Sequence, residues 1–163
     1  MPRTIIIGKA ASGKDYMRAK LEERGYKYAA TYTTRPKRVD EDEGKDYHFI
    51  SDEEFTRMVE AGEFYETAEF NDWKYGTSKE QFYTKDIFIM TPSGVSQLSP
   101  EDREQSFIIM IDIDAKTRYN RLMQRDEHNK GLPGDSVKRR IQADENDFKD
   151  FVDYDVCISS PSF

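Results

Sequence analysis

A glycine-rich segment near the N-terminus constrains the fold of this chain more than any other feature. Residues 8–15 read G-K-A-A-S-G-K-D, which places two glycines and a lysine at the spacing G-x-x-x-x-G-K. The segment follows a β-branched run at Thr4–Ile7 and leads into a helical pattern that begins at Lys14. Between a strand and a helix, such a loop binds phosphate through successive backbone N–H groups, and the lysine reaches the outer phosphates. The alternative is an ordinary glycine-rich turn.

The residue after Lys14 departs from the usual motif. Serine or threonine commonly stands there, because its hydroxyl binds Mg²⁺, whereas this chain has Asp15. A carboxylate in the first turn of a helix interacts favourably with the helix dipole. It is also an oxygen ligand of the kind that Mg²⁺ accepts. The sequence leaves both roles of Asp15 open.

The order of the predicted elements indicates an α/β fold. Buried-strand patterns alternate with helical patterns, which is typical of a parallel sheet covered by helices on both faces, in three layers. Residues 33–85 interrupt this alternation with short, polar strands and predict an inserted mixed subdomain. The strands of the main sheet are predicted at Thr4–Ile7, Ile87–Met90, Phe107–Ile111 and Val156–Ile158.

Two local patterns make finer predictions. Tyr26–Tyr32 is predicted as a strand, because it is rich in aromatic residues. The sequence S-D-E-E at Ser51–Glu54 predicts a capping box, in which Ser51 caps the amide of Glu54 and Glu54 reaches back to the amide of Ser51. A loop is predicted at His128–Asp135, where glycine, proline and asparagine occur together.

Composition excludes several classes of function. The 163 residues include 25 basic and 32 acidic side chains, and the net charge of −7 argues against nucleic acid or an anionic membrane as partner. The apolar runs are too short to cross a bilayer, and the N-terminus has no signal-peptide pattern. The single cysteine, Cys157, excludes an intramolecular disulfide, and two histidines make a structural zinc site unexpected. We therefore expect one cytoplasmic domain, monomeric or homodimeric.

A series of further motifs follows the glycine-rich loop. They are T-Y-T-T-R-P-K-R at 31–38, G-K-D-Y-H-F-I-S at 44–51, G-E-F-Y-E at 62–66 and Y-G-T-S at 75–78. In order and spacing, this series resembles guanylate kinases, and the resemblance extends from Ile5 to about Ile158.

The resemblance implies a fold and an activity. The fold would be that of a P-loop nucleoside monophosphate kinase, in which residues 1–163 form one domain. Its parallel sheet, of the P-loop NTPase type, would comprise residues 1–32, 86–124 and 149–163. An inserted mixed α+β GMP-binding subdomain would span residues 33–85, and a helical lid residues 125–148. The activity would be transfer of the γ-phosphoryl group of ATP to GMP or dGMP, with Mg²⁺ as cofactor.

The resemblance also implies roles for individual residues. Lys14, Arg125 and Arg140 would be catalytic, and Asp15 would be the ligand of Mg²⁺. GMP would be bound by Thr31, Arg35, Arg38, Tyr47, Glu66, Tyr75 and Thr77. ATP would be bound by Gly8, Lys9, Ala10, Ala11, Ser12, Gly13, Lys14, Asp15 and Arg121.

The chemistry of these residue types agrees with the implied roles, although each has a structural alternative. A phosphate dianion calls for arginine forks, but Arg35 and Arg38 are also compatible with a solvated loop neutralised by the acidic run 40–43. A carboxylate at Glu66 would accept from both N1–H and the amino group of guanine, a donor pair that adenine lacks. Glu66 is equally compatible with an outward position on an alternating strand. Arg121 is compatible with the exposed surface of a helix.

One departure from the family leaves open how Mg²⁺ and the base are held, and the residue after the loop lysine leaves the function open. The sequence T-P-S-G at residues 91–94 stands where guanylate kinases usually have an Asp-x-Asp pair. A related kinase acting on a phosphorylated sugar such as ribose bisphosphate is one alternative, because such relatives carry Asp after the loop lysine. A catalytically inactive guanylate-kinase-like binding module is another, although such modules typically lose the phosphate loop that this chain retains.

Overall fold

The computed structural model describes residues 2–128 and 136–159. In chain order the elements are β1 (Arg3–Gly8), α1 (Lys14–Glu22), β2 (Thr31–Thr33), β3 (Tyr47–Phe49), α2 (Asp52–Glu60), β4 (Phe64–Phe70), β5 (Trp73–Ser78), α3 (Lys79–Thr84), β6 (Ile87–Ile89), α4 (Pro92–Val95), α5 (Pro100–Glu104), β7 (Ser106–Asp112), α6 (Ala115–His128), α7 (Val137–Asp147) and β8 (Val156–Ser159).

The core is a parallel sheet with the strand order β6-β1-β7-β8. Residues 5–7 of β1 are isoleucines with no exposed surface, because the central strand is covered on both faces. Ile5 packs with Phe82 and Phe88 on one face, whereas Ile6 packs with Met17 and other residues of the opposite face. The predicted α/β fold is confirmed.

A second, mixed sheet has the strand order β3-β2-β5-β4. β2 pairs with β3 in parallel, and β5 pairs antiparallel with both β2 and β4. The hairpin β4–β5 turns at Asn71 and Asp72, both of which have positive φ, as the tight hairpin turn requires. This sheet carries the strands that broke the alternating pattern of the sequence.

Two of the finer predictions need correction. Of Tyr26–Tyr32, only the end from Thr31 belongs to a strand, because the segment leaves one sheet for the other: Tyr28 bridges to Ile87 of β6, whereas Thr31 pairs with β3.

The capping box is half formed. The hydroxyl of Ser51 accepts from the amide of Glu54 at 3.1 Å, as predicted. The carboxylate of Glu54 does not return to Ser51 but accepts two charge-assisted hydrogen bonds from Arg57, at 2.9 and 2.7 Å.

The predicted lid, residues 125–148, lies only partly within the described residues. α6 continues to His128 and α7 begins at Val137, and the predicted loop at residues 129–135 lies outside the described range. Over the ranges 2–128 and 136–159, no helix is both long and apolar enough to cross a membrane.

Candidate functional site

The glycine-rich loop joins β1 to α1 in a tight curve. Gly13 caps α1 with φ of 100°, a left-handed conformation that glycine adopts at little cost. A Cβ atom at Gly8 would lie 2.9 Å from the carbonyl oxygen of Ile111, so this position has no room for a side chain. The loop therefore has the strand–loop–helix geometry of an anion cradle, and the interpretation as an ordinary turn is not needed.

Lys14 lies across this loop. Its Nζ donates to the carbonyl oxygens of Gly8 and Lys9, at 2.5 and 3.3 Å. Burial lowers the pKa of Lys14, while the charges of Asp144 and Asp15 act in the opposite direction. The ammonium group thus adds positive charge at the anion cradle.

Three arginines from α6 and α7 face the loop. Together with residues 10–16, Arg121, Arg125 and Arg140 line a cleft of about 660 Å³. The guanidinium group of Arg121 donates to the carbonyl oxygen of Ala11 at 3.0 Å, so this side chain is not merely a solvated charge on a helix. Of the residues expected to bind ATP, only Gly8 and Lys9 are absent from the lining of this cleft.

A second group of predicted residues surrounds Arg35. Arg35 is 2% exposed and donates to both oxygens of Glu41, at 2.9 and 2.7 Å. Its guanidinium group lies 5.1 Å above the ring of Tyr47, and the ring of Tyr75 is 6.2 Å from that of Tyr47. Arg38 contributes its backbone amide to Glu41 at 2.8 Å. An acidic neighbour does neutralise Arg35, as the alternative interpretation held, but the pair is buried rather than solvated.

Glu66 lies inside the protein. It is 4% exposed, and one oxygen accepts from the hydroxyl of Thr77 at 2.7 Å. Burial raises the pKa of Glu66 to about 7, although hydrogen bonds from Thr77 act in the opposite direction. Glu66 faces the same cleft as Ala68 and Phe70 of its strand, so the interpretation as an outward polar residue is wrong.

One cleft contains residues of the loop together with the groups around Arg35 and Glu66. It has a volume of about 750 Å³ and is lined by both Lys14 and Glu66. Thr77 reaches this cleft only through its hydrogen bond to Glu66. The other predicted residues that line it are Gly8, Ala10, Thr31, Arg35, Arg38, Tyr47, Tyr75 and Arg140.

Sequence reasoning missed two carboxylates in this cleft, Asp144 and Asp147 of α7. Both oxygens of Asp144 accept from the backbone amide of Ala10, at 3.2 and 3.1 Å. Burial and the charge of Asp144 raise the pKa of Asp147 to about 6. The available signal was spacing, because residues 140, 144 and 147 share one face of a helix.

The donor set for Mg²⁺ is small. Within the described residues, no group of three or more acidic, histidine or cysteine side chains forms a ready metal site. Asp15 lines the cleft at the loop, and its side chain is 68% exposed with one oxygen 3.3 Å from Arg18. A carboxylate so placed fits Mg²⁺, which commonly takes one or two carboxylates and completes its shell with water and phosphate.

Comparisons with known proteins agree with this geometry. The sequence model of the guanylate kinase family matches residues 1–163. A guanylate kinase of Onion yellows phytoplasma is 30% identical over 164 residues, which cover 94% of this chain and 76% of the relative. A guanylate kinase of Frankia casuarinae is 43% identical over 81 residues, covering 48% of this chain and 44% of the relative.

A solved structure shows the same fold. The crystal structure of guanylate kinase from Anaplasma phagocytophilum matches with a TM-score of 0.67 at 23% identity, covering 99% of this chain and 78% of that one. With the family match over the whole chain and the phosphate loop in place, the chain belongs to the guanylate kinase family of nucleoside monophosphate kinases.

Proposed function

We propose that this protein transfers the γ-phosphoryl group of ATP to GMP or dGMP. The observation that carries the proposal is Glu66, which is buried, accepts a hydrogen bond from Thr77 and lines a cleft shared with the phosphate loop. A buried carboxylate is costly unless donors satisfy it. Guanine supplies two adjacent donors, N1–H and the exocyclic amine, and adenine does not. In this proposal, Glu66 and Thr77 read the base.

The acceptor phosphate binds beside Arg35 in this proposal. Arg35 and Arg38 supply positive charge, and the phenol groups of Tyr47 and Tyr75 supply hydrogen-bond donors. All four line the same cleft, as does Thr31. Arginine forks bind phosphate oxygens in pairs, which fixes the direction of the phosphate as well as its charge.

ATP binds at the loop in this proposal, with its phosphates on the backbone amides and Lys14. Arg125 and Arg140 neutralise charge on the transferring group, and Arg121 holds the donor side. Mg²⁺, when bound with ATP, neutralises the β- and γ-phosphate oxygens, and we propose Asp15 as its protein ligand. Phosphoryl transfer needs no covalent nucleophile, because it depends on positioning and charge neutralisation.

Two segments carry the substrates in this scheme. We propose that residues 33–85 form the GMP-binding subdomain and residues 125–148 the lid. Their approach toward the loop excludes water, which would otherwise accept the phosphoryl group.

The alternative functions receive less support. A sugar phosphate has no use for a buried carboxylate paired with a threonine, although Asp15 is compatible with that activity. An inactive binding module does not need Lys14 and three arginines around an intact loop.

A substrate panel tests the proposal. Mg-ATP is offered with GMP, dGMP, AMP, CMP, UMP and ribose bisphosphate, and ADP release is followed. We expect GMP or dGMP to be preferred over AMP by at least about a hundredfold in kcat/KM, because AMP would leave Glu66 without its donors. Preferential use of ribose bisphosphate, or no turnover of any acceptor, would overturn the proposal.

A further inference from the structure

Asp144 of α7 makes an unusual contact with the phosphate loop. Its side chain is buried, with the whole residue 2% exposed. Both carboxylate oxygens accept from the backbone amide of Ala10, at 3.2 and 3.1 Å. That amide belongs to the segment whose N–H groups bind phosphate in loops of this type. A carboxylate of the protein therefore lies on an anion-binding group of the loop.

The charges around Asp144 are those that a nucleotide phosphate would use. The guanidinium group of Arg118 lies 3.7 Å from Asp144. Among the charged neighbours, Lys14 lowers the pKa of Asp144 the most, and Asp144 raises the pKa of Lys14 the most. The carboxylate thus partly neutralises the lysine that faces the phosphate site.

A bound triphosphate and this carboxylate would compete for the same amide and the same ammonium group. Two anions placed on one buried amide and beside one ammonium group repel each other. Asp144 is also fixed from two sides, by Ala10 and by Arg118, so it does not leave the loop without a change in α7 or in its own side-chain rotamer.

We propose that the carboxylate of Asp144 competes with the nucleotide phosphates for the loop. ATP or ADP must displace this carboxylate from the loop on binding. The inference rests on the proposed function only in taking an adenine nucleotide as the ligand of the loop. Arg140 lies one helical turn before Asp144 and faces the same cleft. The displacement of Asp144 therefore links nucleotide binding to the position of α7 and of Arg140.

Nucleotide affinity tests this inference without measuring catalysis. ADP and a non-hydrolysable ATP analogue are titrated by calorimetry into the wild type, Asp144→Asn and Glu145→Gln, each with Mg²⁺ and with a chelator. Glu145 is exposed on the same helix and provides the matched control, since its replacement removes the same charge away from the loop. We expect Asp144→Asn to bind ADP about tenfold more tightly in both conditions, and Glu145→Gln to differ from wild type by less than about twofold.

Other outcomes reject the inference. Unchanged or weaker ADP binding by Asp144→Asn would show that the carboxylate does not compete. Weakening only in the presence of Mg²⁺ would assign Asp144 to the metal instead. Because the titrations use no acceptor, they remain informative even if the substrate panel rejects GMP.

A measurement on the wild type covers the case in which the variant fails to fold. A crystal structure of the wild-type complex with ADP should show the Asp144 carboxylate away from the amide of Ala10. A hydrogen bond retained between these two groups in the complex would overturn the inference.

Discussion

The phosphate loop, the proposed donor side, and the groups around Arg35 and Glu66, the proposed acceptor side, would hold anions by different means. The loop uses backbone amides of consecutive residues, whereas the acceptor side uses side chains that strands of the second sheet and a charged segment bring together. In the structure each side holds a carboxylate of the chain itself, Asp144 at Ala10 and Glu41 at Arg35. Because of this difference, we expect substitutions to impair binding at few positions on the donor side and at many positions on the acceptor side.

The largest effect is expected at Lys14, whose ammonium group lies against the loop. Lys14→Met should lower kcat by about two to three orders of magnitude, as loss of a transition-state donor does in other enzymes. GMP binding should change little, because the acceptor side keeps all its groups. Lys20→Met, an exposed position on the same helix, is the control. Activity within tenfold of wild type would contradict the role of Lys14.

Glu66→Gln should give the next largest effect, on the acceptor side. The variant keeps the shape but loses the charge and one acceptor oxygen, which should lower kcat/KM for GMP by about ten- to a hundredfold. The affinity for ATP should stay nearly constant. Glu69→Gln, at an exposed position of the same strand, controls for local disturbance of β4. GMP kinetics equal to those of the wild type would remove the base-reading role.

The raised pKa of Glu66 makes a pH prediction. Burial raises it from 4.5 to about 7 in the nucleotide-free protein, and guanine requires the ionised form. Affinity for GMP should therefore increase about tenfold from about pH 6 to about pH 8, as the carboxyl loses its proton. Glu66→Gln should flatten this profile except for the titration of the GMP phosphate. Asp147, whose pKa burial raises to about 6, also lines the cleft and titrates near this range. A profile unchanged in Glu66→Gln would assign the titration to Asp147.

The same pKa affects stability with the opposite sign. Between 4.5 and about 7 the folded protein retains a proton on Glu66 that the unfolded chain has lost. The contribution of Glu66 to the free energy of unfolding therefore falls as pH rises through this range, by an amount of the order of 3 kcal/mol. Thermal unfolding of the nucleotide-free protein, compared with Glu66→Gln, measures this contribution. A difference between the two that does not vary with pH would contradict it.

The smallest effect is expected at Asp15 and is confined to the donor side. Asp15→Ala should raise the Mg²⁺ concentration for half-maximal rate several-fold and lower kcat, and Asp15→Ser should recover part of the loss. If Asp15 interacts only with the helix dipole, Asp15→Ala should lower the free energy of unfolding by about 0.3–1 kcal/mol and leave the Mg²⁺ titration unchanged. The titration at saturating ATP and GMP separates the two roles. GMP affinity should be the same in all three proteins.

The sequence predicted the donor side better than the acceptor side for a physical reason. A phosphate loop is local, so the glycines, the preceding strand and the following helix suffice to place its amides. The environment of Glu66 depends on the pairing of β4 with β5 and on the residues that pack over these strands. No short segment of the sequence encodes either of them. Spacing alone therefore left an outward position open for a residue that is 4% exposed.

Two further features could not be predicted from local sequence patterns. The contact of Asp144 with Ala10 joins residues 134 positions apart, and the helix that carries Asp144 has an unremarkable polar sequence. The short helices α4 and α5 were also not predicted, because four or five residues carry too little periodicity to recognise.

The crossing between the two sheets has a mechanical consequence. Tyr28 makes the last bridge to the core sheet and Thr31 the first pair of the second sheet, so only Ala29 and Ala30 lie between them. The two sheets share no strand pairing in the part of the chain that the structure describes. A rotation of the second sheet against the first would therefore break no ladder hydrogen bond, but it would break the side-chain hydrogen bonds that join Thr67 and Tyr65 of β4 to Gln97 and Asp102. The ion pair between Arg18 of α1 and Asp46, at 2.9 Å, would resist the same rotation.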